Sequence, residues 1–217
     1  TDDARMTAAP AHGRTLVRRS SPRAEAVLTE ALAWAESADA SAEAASAANS
    51  LAVLASMRGD LRGALARFQA SLDWAKRAGR TDHVTRLHDN IGISLRRLGD
   101  LEGARSHHEM ALALADEAGD DMLALTVLVN LSEVLLLTGD VAAAIEAAST
   151  AVQRGEVTGD FWLADALNNL GRAMSVSGSS AEALAHHDRA LRLARATGSP
   201  ALIADVYGGR GQTQAEA

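Results

Sequence analysis

Between Thr81 and Leu98 the apolar side chains fall at Val84, Leu87, Ile91 and Leu95, spacings of three and four that line one face of an α-helix. A Gly-Asp pair at Gly99 and Asp100 closes that run and opens another, from Leu101 to Ala118, which ends on a second Gly-Asp pair. Glycine accepts the left-handed conformation that terminates a helix, and an aspartate oxygen takes the free amides at the start of the next. The pattern predicts a helix, a tight turn and a second helix. The same text then recurs: Gly59, Gly99, Gly139 and Gly178 are 40, 40 and 39 residues apart. Thirteen positions after Leu51, Ile91, Leu131 and Leu170 stand Ala64, Ala104, Ala144 and Ala183, and eight further on stand Leu72, Leu112, Val152 and Leu191. A period in this range marks a solenoid of stacked helix pairs. The recurring alanine is expected where the two helices of a pair cross, because only a small side chain lets their backbones approach. The division that follows is a tail or partial helix at 1–20, then a solenoid over 21–217. The solenoid holds a partial repeat at 21–40, repeats at 41–80, 81–120, 121–160 and 161–199, and a partial repeat at 200–217.

Composition narrows the chemistry. Hydrophobic residues make up 47% of the 217 but aromatics only 3%, so the core must be built from Ala, Leu and Val, which suits closely packed helices. The absence of cysteine excludes disulfides and thiolate metal sites. The longest apolar run is far short of the ~20 residues that span a bilayer, and the opening TDDARMTAAPAHGR has no signal-peptide core. These features lead us to expect a cytoplasmic chain with no membrane partner. A net charge of −7 argues against direct nucleic-acid contact, which needs basic surface. A protein or peptide partner is expected and no cofactor; self-association stays open.

The repeated residues resemble the tetratricopeptide repeat, in a form lengthened to about forty residues from the usual ~34. The resemblance runs from Ser21 to the C-terminus. Against the family pattern, the second repeat supplies Ile91, Gly92, Leu95, Ala104, His108 and Ala111, and the fourth supplies Leu170, Gly171, Met174, Ala183, His187 and Ala190. The first large position is never Tyr, and only Phe68 fills the second with an aromatic ring. Upstream, Pro22 to Ala40 matches the second helix of a preceding repeat, with Trp34 forty residues before Trp74. Cut in mid-repeat at both ends, the array reads as a fragment of a larger protein. The resemblance implies an all-α, right-handed α-solenoid of helix-turn-helix repeats, a non-enzymatic module that binds a protein or peptide in its concave groove. The text LNNLGRA and HHDRALRLAR is also similar to the C-terminal regions of large actinobacterial transcriptional activators. That similarity implies the alternative role, a ligand- or partner-sensing regulatory domain of a larger regulator.

Few residues invite a catalytic reading. His107 and His108, like His186 and His187, are helix neighbours about 100° apart and do not chelate one metal as i, i+4 pairs do. His108 and His187 stand at the family's aromatic position and are expected to pack against the next helix; His83 and His88 are expected at a surface or interface. The sequence GGRGQT at Gly208–Thr213 lacks the lysine and the preceding strand of a phosphate loop. Glu133 and Asp165 have no nucleophile arranged around them, so solvated helix charges are the simpler explanation.

The resemblance instead directs attention to the groove. It places Asn49, Ser50 and Val53 there in the first repeat, and Arg86, Asp89, Asn90, Ile93, Arg96 and Arg97 in the second. The third contributes Thr126, Val129, Asn130, Glu133, Leu136 and Leu137, and the fourth Asp165, Asn168, Asn169 and Arg172. Ser50, Asn90, Asn130 and Asn169 form a recurring polar row. Carboxamides offer donors and an acceptor, which suits them to hold an extended peptide backbone. Bonding to a neighbouring helix is the competing reading. Val129, Leu136 and Leu137 make the third repeat the expected anchor pocket.

Overall fold

The computed structural model describes residues 23–158 and 162–216. The tail or partial helix expected at 1–20 lies outside the described residues. Ten helices and no strand occur among those described. In chain order they are α1 (Ala24–Ser37), α2 (Ser41–Met57), α3 (Leu61–Arg77), α4 (Thr81–Leu98) and α5 (Leu101–Ala118), followed by α6 (Asp121–Leu137), α7 (Val141–Thr158), α8 (Leu163–Val176), α9 (Ser180–Thr197) and α10 (Pro200–Glu216).

The Gly-Asp pairs do what their chemistry requires. Gly99 adopts φ 89° at the end of α4, and the side chain of Asp100 accepts from the Gly103 amide at 2.9 Å to start α5. Asp60 accepts likewise from Gly63 at 2.9 Å, and Asp120 from Leu123 at 3.0 Å. The turn after α1 has no glycine, and Asp39 takes the left-handed conformation there at φ 52°. Short polar side chains tolerate that region better than most.

The described residues divide into two compact units, one up to His107 and one from His108, with the division inside α5. In the first, α1, α2, α3 and α4 pack each on the next, around Ala45, Ala52, Ala64, Phe68, Leu72, Leu87 and Ile91. Ser71 on α3 donates to the Ala45 carbonyl of α2 at 2.7 Å. In the second unit the helices α6 to α10 pack in chain order, and the first helices of successive repeats also touch, α6 with α8 and α8 with α10. Leu125, Leu128, Leu131, Leu167, Leu170 and Val206 belong to its core. Ala64, Ala104, Ala144 and Ala183 all have no exposed surface, as their place at helix crossings demands. No described helix is long and apolar enough to cross a membrane.

Candidate functional site

The second unit is organised around a buried imidazole. His187 of α9 has no exposed surface and lies against two glycines. A Cβ built on Gly171 of α8 would stand 2.8 Å from the ring, and one built on Gly209 of α10 would stand 2.9 Å from it. The ring fits only because both helices lack a side chain there. Its Nδ1 lies 3.0 Å from Asn168 Oδ1 and its Nε2 lies 3.2 Å from Thr213 Oγ1. Asn168 in turn donates through Nδ2 to Asp205 Oδ2 at 2.6 Å. With its nitrogen committed to a carboxylate, Asn168 must present oxygen to the ring, so Nδ1 carries the proton, while Nε2 lies beside the Thr213 hydroxyl, which donates to the Gly209 carbonyl at 3.1 Å. Burial, reinforced by the nearby Arg172 charge, pushes the His187 pKa down to about 4. The ring is neutral at pH 7 and ties α8, α9 and α10 together.

Next to this network a cavity of about 180 Å³ opens between the first helices of the unit. Leu136 of α6 lines it together with Arg172, Ser175 and Val176 of α8 and with Gly209, Gln212 and Thr213 of α10. Arg172 makes no ion pair with a carboxylate among the described residues, whereas Arg210 is engaged by Asp188 at 2.8 Å. Two turns earlier on α8, the half-buried Asp165 has its pKa raised to about 6, by burial first and by the Asp205 charge second. Beside the cavity, apolar side chains face water: Leu137 is 50% exposed and Val176 58%. They end α6 and α8 as Met57 and Leu98, also exposed, end α2 and α4 in the first unit.

The expected groove residues separate by their position in the repeat. Those two before the recurring aliphatic residue, Asp89, Val129 and Asn168, are buried, at 6%, 6% and 0% exposure. A step of two residues turns about 200° around a helix, so these side chains lie opposite the recurring aliphatic residue, where Asn168 meets α9 and α10. Asn168 consequently bonds His187 and Asp205, and its assignment to a ligand-facing position is corrected to an internal one. Asn49, at the same position in the first repeat, is half-buried.

One residue later, Asn90, Asn130 and Asn169 are half-buried, but Ser50 is covered and donates to Ser46 O within its own helix at 2.9 Å. Asn169 donates to the Val129 carbonyl at 2.9 Å and to Ser132 Oγ at 3.1 Å, so there the bond to a neighbouring helix is made. Arg86 and Arg97 are exposed, Arg97 donating to Ser56 Oγ at 2.8 Å, and Arg96 and Glu133 are half-buried.

Of these expected residues only Arg172 and Leu136 line the cavity. Sequence reasoning missed Ser175, Val176, Gly209, Gln212 and Thr213. GGRGQT, weighed and rejected as a phosphate loop, is part of α10, the first helix of the partial repeat expected at 200–217. In the first unit His88 is also less exposed than expected, at 6%. Its Nδ1 lies 3.1 Å from His107 Nδ1, and burial followed by the His107 charge pushes its pKa down to about 4. No group of three or more His, Asp or Glu side chains is placed to hold a metal among the described residues.

Helix pairs recurring every forty residues, with the first helix of each lining a recess in the second unit, define a helical-repeat scaffold of the α-solenoid class. The chain belongs to the tetratricopeptide repeat family, whose profile matches residues 83–156 and again 123–196, together just over half of the sequence. Such repeats are protein-interaction modules.

Among solved structures, the chain is similar to a signal transduction ATPase with numerous domains (STAND) from Pyrococcus horikoshii that carries a tetratricopeptide repeat sensor. The two are 15% identical with a TM-score of 0.80, over 94% of this chain and 32% of that one. It is similar to RapI in its apo form at 13% identity and a TM-score of 0.78, over 91% of this chain and 56% of that one. A Podospora anserina protein with nearly identical TPR-like repeats of kinesin light chain type is 15% identical, with a TM-score of 0.74 over 92% and 99%. At these identities the likeness is one of fold. The chain spans about a third of the STAND protein and little more than half of RapI. No curated protein sequence matches it.

Proposed function

We propose that the chain is a non-enzymatic module that holds an extended protein segment against the first helices of its repeats. The observation that carries this reading is the recess between α6, α8 and α10, with aliphatic side chains exposed beside it. Exposed apolar surface next to fixed polar groups is the usual mark of a partner site. In the second unit the contacts would come from Asn130, Glu133, Leu137, Asp165 and Arg172, with Asn169 braced by its bond to α6. In the first unit they would come from Asn49, Arg86, Asn90, Arg96 and Arg97, whose three arginines favour an acidic stretch of ligand.

A random linear peptide library displayed on phage and selected on the immobilised chain tests the proposal. A consensus should enrich, and a synthetic consensus peptide should bind at least fivefold more weakly to Leu137→Asp and Asn130→Ala. A library from which nothing enriches sinks the reading.

A second reading has one observation in its favour: the STAND protein named above carries its tetratricopeptide repeats as a sensor. On that reading the chain is the sensing part of a larger regulator. The coding sequence on either side decides it, since a phosphate-loop or helix-turn-helix motif must be present there.

A further inference from the structure

We infer that the cavity beside Arg172 accepts one acidic side chain, glutamate by its length, of a bound segment whose aliphatic residue two positions away covers Leu137 and Val176. This rests on the segment-binding reading and names the chemistry of its anchor. Size comes first. A cavity of about 180 Å³ holds a single side chain and falls below the ~300 Å³ at which pockets begin to hold whole drug-sized ligands.

Charge comes next. Arg172 is the cation at this wall and has no carboxylate partner among the described residues, while Arg210 is already occupied by Asp188. His187, behind Gly209 and Thr213, is neutral and adds no charge of its own. A carboxylate entering here gains a charge-assisted hydrogen bond, whereas an ammonium would meet the guanidinium. Ser175 and Gln212 supply further polar groups on the same lining.

Shape selects the stem. Leu136 and Val176 give the cavity aliphatic walls, against which the two methylenes of glutamate lie. A free carboxylic acid would fill the cavity equally well but would leave Leu137 and the outer part of Val176 in water. An extended chain turns alternate side chains to the same face and covers both.

The test selects a displayed library of random linear heptapeptides on the wild-type chain and measures the synthetic consensus peptide against Gln212→Glu, Gln212→Lys and Arg172→Gln. Gln212 is exposed, so its two variants leave the fold intact, which thermal melting by circular dichroism verifies. The consensus should contain one Glu with Leu, Ile or Val two positions from it. Gln212→Glu should weaken binding at least threefold, Gln212→Lys should strengthen it, and Arg172→Gln should weaken it about tenfold. Changing the peptide Glu to Gln should cost about tenfold on wild type and little on Arg172→Gln, the signature of direct coupling.

Equal losses on both proteins, Gln212 variants without opposite effects, or a consensus lacking an acidic residue would each overturn the inference while leaving segment binding in place. A wild-type selection that enriches nothing overturns the parent reading instead.

Discussion

His187 and Asp165 pull the stability of the second unit in opposite directions with pH. His187 titrates near 4 in the fold against a usual value of about 6.5, so between those limits the unfolded chain binds the proton more readily. Its contribution is whole above pH 6.5 and is lost at about 1.4 kcal/mol per pH unit as pH falls toward 4. His88 adds the same sign in the first unit. Asp165 titrates near 6 against a usual value near 3.8, so it favours the fold at low pH and loses that contribution as pH rises through 6.

Asp165→Asn should therefore raise stability relative to wild type at pH 7 and change it little at pH 4, as read from urea melts at both pH values. Asn169→Ala should lose about 1–2 kcal/mol at any pH, because both hydrogen bonds from its amide to α6 are lost. The packing of His108 and His187 was legible in the sequence, since both stand where the repeat wants a large side chain. The burial of Asp89, Val129 and Asn168 was not. Periodicity assigns a residue to a side of its helix, but which side meets the next repeat depends on how the repeats are rotated.

Helix ends were the most legible elements, because Gly-Asp carries its own local physics. Asp120→Ala should cost about 1 kcal/mol through loss of the cap on Leu123. Less legible were the glycines inside helices, which a propensity argument counts only as weak points. Gly171 is one whose absent side chain is required, and Gly171→Ala should force the His187 ring off α8. The expected cost is about 1–3 kcal/mol by overpacking, visible as a lower melting temperature and loss of the protected Nδ1 proton signal in NMR. The far wall of the cavity stayed hidden for a related reason. Its residues sit on α10, a first helix that the partial repeat at 200–217 implied, but Gly208, Gly209 and Gly211 obscure which of its sides faces the neighbouring repeat.

Across the molecule, packing follows chain order within each unit, so stability should approximate a sum over repeats and their nearest interfaces. Excising Thr81 to Asp120, one full period, should leave a helical and monodisperse product by circular dichroism and size exclusion, with a lower melting temperature. Aggregation of that product would mean that the repeats do not substitute for one another as neighbours. Arg154 with Asp116 at 2.7 Å and Arg189 with Glu156 at 2.7 Å add inter-repeat ion pairs. Exposed pairs of this kind contribute little each, and the alanine-rich core is the main support.

The three glycines of α10 give the cavity a clock. Each costs a helix interior about 1 kcal/mol relative to alanine, so α10 should unfold locally far more often than α8 or α9. Whenever it does, Gly209, Gln212 and Thr213 leave, and the recess loses one wall. Occupancy and local folding are then one equilibrium, in which any occupant holds α10 closed in proportion to its concentration over its dissociation constant. Amide hydrogen exchange should show α10 among the fastest helices of the free chain. On saturation with a bound segment, exchange should slow most in α10, and Gly208→Ala, which meets no neighbouring atom within 4 Å, should slow it without any ligand.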